Sequence, residues 1–167
     1  MNENRMGKTE GERRTKLESV KRYLENKGKA STVDNEFPPK FLEPLVLDGH
    51  HLQLIEPGRV VFSMKIPPRL LNSGNYLHVG AITTLVDLVG AAAIPAAGFP
   101  LETGVSVKIN VTCLDAAYVN EEIEIDARVL RVGKTIAAVS VEFRKKKTGQ
   151  IFAQGRHTKY LPITSKM

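Results

Sequence analysis

The chain has 167 residues, a net charge of +6 and a single cysteine, Cys113. This length suffices for one domain with a hydrophobic core, and a lone cysteine excludes both a disulfide framework and a cysteine-based zinc site. The positive charge is concentrated in residues 144–167, which carry seven Lys or Arg and no Asp or Glu. Such a basic face could meet nucleic acid, an anionic membrane or a phosphorylated ligand, or could protect an exposed strand against edge pairing.

Residues 1–35 form a highly charged extension with few large apolar side chains, a composition that predicts flexibility. Within it, residues 15–26 could form one amphipathic helix. The extension has no apolar core, so it does not resemble a signal peptide, and its glutamates argue against an organelle transit peptide. We assign the folded domain to residues 36–162 and a short tail to residues 163–167.

Two strand-like runs open the domain, residues 45–55 and 59–66, and Pro57 and Gly58 join them. In the second run apolar and polar residues alternate, which is the two-residue period of a strand with one buried face. Two consecutive prolines then end this run.

A long apolar segment follows the loop that contains Asn72 and His78, and it predicts a buried helix between Gly80 and Pro95. Apolar residues recur there at spacings of three and four, as on one face of a helix: Ala81, Leu85, Leu88, Val89, Ala92 and Ala93. Asp87 lies in the middle, where a carboxylate is costly to bury unless it is paired or has a catalytic task. Its polar interruptions predict a core helix and no membrane span. This helix is the candidate active site.

Beyond the helix the pattern predicts strands only. Four runs show the two-residue period, at residues 105–113, 122–129, 137–143 and 151–161. In the first of them, the valines and Ile109 are expected on the buried face, opposite Ser106 and Lys108. Antiparallel hairpins with one buried face fit this pattern, and one helix against one such sheet makes a two-layer α+β domain.

Several short motifs follow one another in order along the chain: an Asn six residues before the His of L-H-x-G, then T-L-V-D, G-V-S-V-x-x-N, G-K-T and A-Q-G-R-H-T-K. In this order and spacing they resemble the hotdog-fold acyl-CoA thioesterases of the PaaI-like, 4-hydroxybenzoyl-CoA thioesterase type. The resemblance covers roughly residues 45–161 and implies a hotdog fold, with an antiparallel sheet wrapped around one long central helix. Val79 is a departure, because the family often has a second Gly there.

Hydrolysis of a thioester needs a nucleophile, a proton acceptor and donors for the oxyanion that forms on the carbonyl. The start of the helix offers unpaired N–H groups and the positive end of the helix dipole, near Val79 and Gly80. Asp87 lies about two turns further on, roughly 10 Å by helix rise, so one carbonyl could hardly touch both. The resemblance resolves this, since related thioesterases build the site across a dimer interface.

By the same resemblance, Asp87 would be the general base or nucleophile, and Asn72 would orient the thioester or the water. Ser106 would position the water or Asp87, while the two amides at the helix start would bind the oxyanion. His78 would occupy a turn or cap the helix, with contact to the thioester sulfur as its functional alternative.

The resemblance also gives the basic charge a partner, the phosphates of coenzyme A, which Lys and Arg bind through charge-assisted hydrogen bonds. It implies a homodimer or a dimer of dimers, no nucleic acid, no metal, and no cofactor beyond the coenzyme A of the substrate. Residues 165–167 resemble a peroxisomal address, so the peroxisome or the cytoplasm is expected. The residues expected near the phosphates are Lys108, Arg131, Gly133, Lys134, Arg156 and Lys159.

Each assignment has a structural alternative: a hydrogen-bonded seam carboxylate for Asp87, a turn residue for Asn72, a sheet hydroxyl for Ser106 and a hairpin turn for residues 133–135. Two other functions stay open. A hotdog dehydratase or hydratase would pair a catalytic His with a carboxylate, but the only His expected near Asp87 lies in the turn before the helix. A non-catalytic acyl-CoA-binding protein would have no need of that carboxylate.

Overall fold

The computed structural model describes Lys21, residues 40–101 and residues 104–161. The chain divides into two compact units at residues 39 and 40. In the first unit only Lys21 is described, and it is helical and exposed. The remainder of the predicted extension and helix, and the predicted tail at residues 163–167, lie outside the described residues.

The second unit is one antiparallel sheet and one long helix, which confirms the predicted α+β hotdog architecture. The sheet has six strands in the order β1-β2-β4-β5-β6-β3. A short helix precedes it, and a 3-10 turn lies between β2 and the long helix. The elements are α1 Leu42–Leu47, β1 His50–Glu56, β2 Arg59–Lys65, the turn Pro68–Leu70, α2 Val79–Ala96, β3 Val105–Cys113, β4 Glu122–Val132, β5 Ile136–Lys145 and β6 Ile151–Tyr160.

Helix α2 is the centre of the hydrophobic core. Its buried residues, among them Leu85, Val86 and Val89, contact the inward side chains of β2 to β6. By length and hydropathy α2 could cross a membrane, but it packs into the sheet and is a core helix. Strand β6 lies close to it at Gly155, where an added Cβ would lie 2.5 Å from Val86 Cγ2. Only glycine permits this spacing.

The first strand-like run of the sequence is partly wrong, because the chain is helical up to Leu47 and β1 begins only at His50. A short apolar run is compatible with either structure. Gly49, with φ +81, makes the turn between them. The Arg69 side chain then fixes α1, since its Nε donates to the Leu45 carbonyl at 2.8 Å and its guanidinium pairs with Asp48 at 3.4 Å.

A β-bulge in β3 overturns the predicted alternation of that strand. Ser106 pairs with Lys159, and Lys108 pairs with Thr158, so that Val107 is an extra residue without a partner on β6. Such a bulge shifts the side chains before it to the opposite face. Ser106 therefore faces α2, while Val105 and Val107 are 69% and 61% exposed.

Candidate active site

The loop before α2 is held by Asn72. Its Oδ1 accepts from the backbone N–H of Gly74 at 2.8 Å and of Tyr76 at 3.4 Å, and its own N–H donates to the Tyr76 carbonyl at 2.9 Å. Because the carbonyl oxygen of the side chain is used inside the turn, the Asn72 amide NH₂ is the group that remains to meet a ligand.

His78 caps the start of α2. Its Nδ1 accepts from the Gly80 N–H at 2.8 Å, and its backbone is extended. The Gly80 N–H, one of the two backbone amides predicted to bind the oxyanion, is thus already hydrogen-bonded to the imidazole. The Val79 N–H lies in the first turn, outside the intrahelical hydrogen bonds, where the helix dipole favours negative charge.

Asp87 belongs to a three-residue cluster formed by α2, β3 and β6. The Ser106 hydroxyl donates to Asp87 Oδ1 at 2.7 Å. The Nε2 of His157 lies 2.9 Å from Ser106 Oγ and 3.2 Å from Asp87 Oδ1. The Asp87 side chain is 39% exposed whereas that of His157 is fully buried, so the cluster presents its carboxylate to solvent and keeps its imidazole inside.

The expectation that the only His near Asp87 precedes the helix is wrong, because His157 is in direct contact with it. His157 lies on the inward face of β6, where it pairs with Ile109 and Val139. The available signal was its strand position, two residues after Gly155 and thus on the same face. The sequence could not show that this face of β6 contacts Asp87, since the two residues are 70 positions apart in the chain.

Burial lowers the pKa of His157. The nearby Asp87 carboxylate opposes this change, and the positive charge of Lys159 adds to it, so the net pKa lies below the usual value for histidine. The imidazole is therefore neutral at neutral pH. A buried neutral imidazole cannot reach a substrate, which argues against a hydratase that would use this His directly.

A cavity of about 350 Å³ lies beside the start of α2. Four of its residues, His78, Gly80, Ala81 and Thr84, belong to the capped first turns of the helix. The remaining residues, which come from α1, the 3-10 turn and their surroundings, are largely apolar: Leu42, Leu45, Val46, Arg69, Leu70 and Leu71. The cavity can thus accept an apolar group next to the helix amides.

The six residues expected near coenzyme A do not lie together. Lys108 and Arg131 belong to one cross-strand row, through Thr158 and Ala138, on the face of the sheet away from α2. Arg156 lies in the adjacent row of the same face. Lys159, in contrast, is buried on the helix face, and Gly133 and Lys134 form the turn between β4 and β5.

Comparison with known proteins relates the chain to one family. A family profile described as thioesterase superfamily matches residues 74–152. Acyl-coenzyme A thioesterase 13 from Homo sapiens is 43% identical over 107 residues, which cover 63% of this chain and 74% of that protein.

Solved structures agree in fold. Zebra fish thioesterase superfamily member 2 has a TM-score of 0.68 and 38% identity, over 76% of this chain and 89% of that one. A hypothetical thioesterase from Streptococcus pneumoniae TIGR4, solved with coenzyme A, has a TM-score of 0.63 and 19% identity, over 68% and 89% of the two chains.

Proposed function

This chain belongs to the thioesterase superfamily and is a thioester hydrolase, and from that premise we propose that it hydrolyses acyl-CoA with Asp87 as the general base or nucleophile. The observation that carries the proposal is the Asp87–Ser106–His157 cluster. In this cluster Asp87 Oδ1 is hydrogen-bonded to Ser106, and the carboxylate remains partly exposed, so that its other oxygen can meet a substrate.

The chemistry follows from which atoms are occupied. Asp87 Oδ1 accepts from Ser106, so Oδ2 is the oxygen that takes the proton of an attacking water, or that attacks the carbonyl itself. A C–O bond forms as the C–S bond breaks, and coenzyme A leaves as its thiol after taking up a proton; on the nucleophilic route, water then hydrolyses the acyl–Asp87 anhydride to the free acid and restores the carboxylate. The Val79 amide and the Asn72 side-chain NH₂ donate to the oxyanion. The Gly80 amide joins them only if His78 releases it.

A second copy of the chain completes this site. Val79 and Asp87 are eight residues apart on α2, roughly 12 Å by helix rise, so one carbonyl cannot touch both on the same helix. The exposed edge strand β3, with Val105 and Val107, is an apolar surface that a second copy can cover. A homodimer, or a dimer of dimers, would bring Asp87 of one protomer to the helix start of its partner.

Mixing two inactive variants tests the shared site. Asn72→Ala and Asp87→Asn are each purified, then unfolded together and refolded, so that the protomers assort. In a twofold dimer with a shared site, half of the dimers are mixed and each has one intact site, giving about a quarter of wild-type activity. If both residues act within one protomer, no activity returns.

The cavity beside the helix start supports an apolar acyl group as the substrate. Its aliphatic residues can bury a chain of several methylenes, each contributing about 0.8 kcal/mol. Leu45→Trp, which fills this cavity from α1, would raise the KM for long acyl groups more than for acetyl-CoA. An equal effect on both would place the acyl group elsewhere.

The exposed cations of the outer face support binding of the coenzyme A phosphates. Lys108, Arg131 and Arg156 face away from the Asp87 of their own protomer, so they would serve the nucleotide end of the substrate and not the carbonyl. Lys159, buried near His157, would act on the cluster through its charge.

Release of free thiol from a panel of aliphatic and aryl acyl-CoAs tests the function itself. We expect turnover of at least one thioester, and a loss of roughly two or more orders of magnitude in Asp87→Asn with the fold intact. Binding of acyl-CoA without thiol release by the wild type would favour the non-catalytic binding protein. An unimpaired Asp87→Asn variant would assign Asp87 a structural role.

A further inference from the structure

The buried ring of His157 lies against a glycine of the central helix. At Gly90 an added Cβ would lie 3.0 Å from His157 Nδ1, 3.4 Å from Val141 Cγ2 and 3.5 Å from His157 Cβ. Glycine in a helix interior is unfavourable relative to alanine. Gly90 therefore stands in the helix at a position where a side chain would contact the imidazole too closely.

The two ring nitrogens of His157 have different surroundings. Nε2 faces the oxygens of Ser106 and Asp87, while Nδ1 is buried without a hydrogen-bond partner among the described residues. A proton on Nδ1 would be a buried unsatisfied donor, and it would leave the Nε2 lone pair facing a carboxylate. A proton on Nε2 donates to the cluster and leaves only an acceptor lone pair unused. The neutral Nε2–H tautomer is therefore the favoured one.

We propose that His157, seated against Gly90, is a positioning residue whose Nε2–H fixes Asp87 and Ser106 for thioester hydrolysis. The proposal rests on the proposed function and deepens it. The Nε2–H then donates to Ser106 Oγ at 2.9 Å, so the Ser106 hydroxyl keeps its own hydrogen for Asp87 Oδ1, and Nε2 lies 3.2 Å from the same carboxylate oxygen. The carboxylate can no longer rotate freely, and Oδ2 stays directed toward the substrate.

The charges around the ring keep it in this form. Asp87 on α2 and Lys159 on β6 are the charged groups that act on it, and Ser106 on β3 is the polar neighbour. A second proton on the ring would have to sit on Nδ1, against Gly90 and Val141, where no acceptor is described. His157 is thus a fixed donor, and it does not exchange protons with the substrate.

Side-chain nitrogen NMR on the ¹⁵N-labelled full chain tests the tautomer without any substrate. We expect His157 to give the signals of a neutral Nε2–H imidazole at pH 7. Signals of an Nδ1–H imidazole or of an imidazolium would overturn the proposal. Gly90→Ala should alter these signals, because its Cβ forces the ring to move, and an unaltered spectrum would contradict the role of Gly90 as its seat.

Thiol release by three variants tests the positioning role. His157→Phe removes the donor, and we expect kcat to fall roughly ten- to hundred-fold with little change in KM, because the group that orients the Ser106–Asp87 hydrogen bond is lost. His157→Gln can present an amide N–H near the Nε2 position and should recover part of that loss. Phe152→Leu is the matched control, since it disturbs the same buried face away from Asp87 and should lower stability without lowering kcat to this extent.

The outcomes separate the two proposals. A wild type that releases no thiol from any acyl-CoA overturns the proposed function. Full kcat in a folded His157→Phe variant overturns only the positioning role. Equal losses in the Phe and Gln variants would also overturn it, because they would indicate that the shape of the ring matters and its donor does not.

Discussion

Gly155→Ala should destabilise the domain, because β6 passes too close to α2 for a methyl group at this position. The new Cβ would lie 2.5 Å from Val86 Cγ2 and 2.9 Å from Val86 Cγ1, and Val86 is fully buried, so it has no free space to move into. Over-packing costs about 1–3 kcal/mol, while alanine regains about 0.5–1 kcal/mol over glycine. We expect a net loss of about 1–2 kcal/mol in unfolding free energy. Each kcal/mol lost should lower Tm by about 2–4 °C.

Urea denaturation followed by circular dichroism measures this loss, and Val86→Ala provides the matched test. That change alone leaves a cavity and should cost about 1–3 kcal/mol. In the double variant the methyl group added at position 155 enters the space that Val86 vacates. The loss of unfolding free energy in the double variant should therefore be smaller than the sum of the two single losses, by about 1 kcal/mol or more. Additive costs, or a Gly155→Ala variant as stable as the wild type, would refute the close approach of β6 to α2.

Three further predictions concern the cluster and the outer face. Ser106→Ala should lower kcat about tenfold in thiol release at unchanged KM, because one donor to Asp87 is lost, whereas an unchanged kcat would make Ser106 dispensable. Since the pKa of His157 is lowered in the folded state, the unfolded chain binds its proton first as the pH falls through about 6.5, and stability is lost there. Melting curves from about pH 7.5 to about pH 5.5 should show this loss, and His157→Gln should reduce it. Arg156→Glu should raise the KM for acyl-CoA but not for a short thioester that lacks the nucleotide, and the control Lys147→Glu should raise neither.

The periodicity of the sequence was sufficient for the architecture. The spacing of apolar residues on α2 predicts a helix with one buried face, and four of the six residues named for it are buried, while Leu88 and Ala92 are half-buried. The alternating runs likewise predict antiparallel strands. The same reasoning failed for residues 45–47, because a six-residue apolar helix and a short strand have similar patterns.

The candidate active site was only half predictable, for two physical reasons. The bulge in β3 depends on one unpaired residue, Val107, which no local pattern marks, so the alternation placed Ser106 on the face away from Asp87, and only the family resemblance predicted that the two residues act together. The contact of His157 depends on the packing of β6 against α2, where Gly90 and Gly155 leave the space. Neither glycine stands in a turn, and in each case the residue that requires the glycine is distant in the sequence.

The bulge links catalysis to assembly. Val107, the extra residue, lets Ser106 face Asp87 and at the same time leaves Val105 and Val107 exposed on an edge strand. Exposed apolar edges favour pairing with another chain, and in the proposed mechanism Asp87 needs a second helix start for its substrate carbonyl. One local irregularity thus creates both the carboxylate cluster and the exposed surface that we propose a partner covers when it completes the site. It follows that a monomeric variant, such as Val107→Asp, should keep the Asp87–Ser106 hydrogen bond and still lose thiol release. A monomer with full activity in sedimentation and thiol assays would contradict this link.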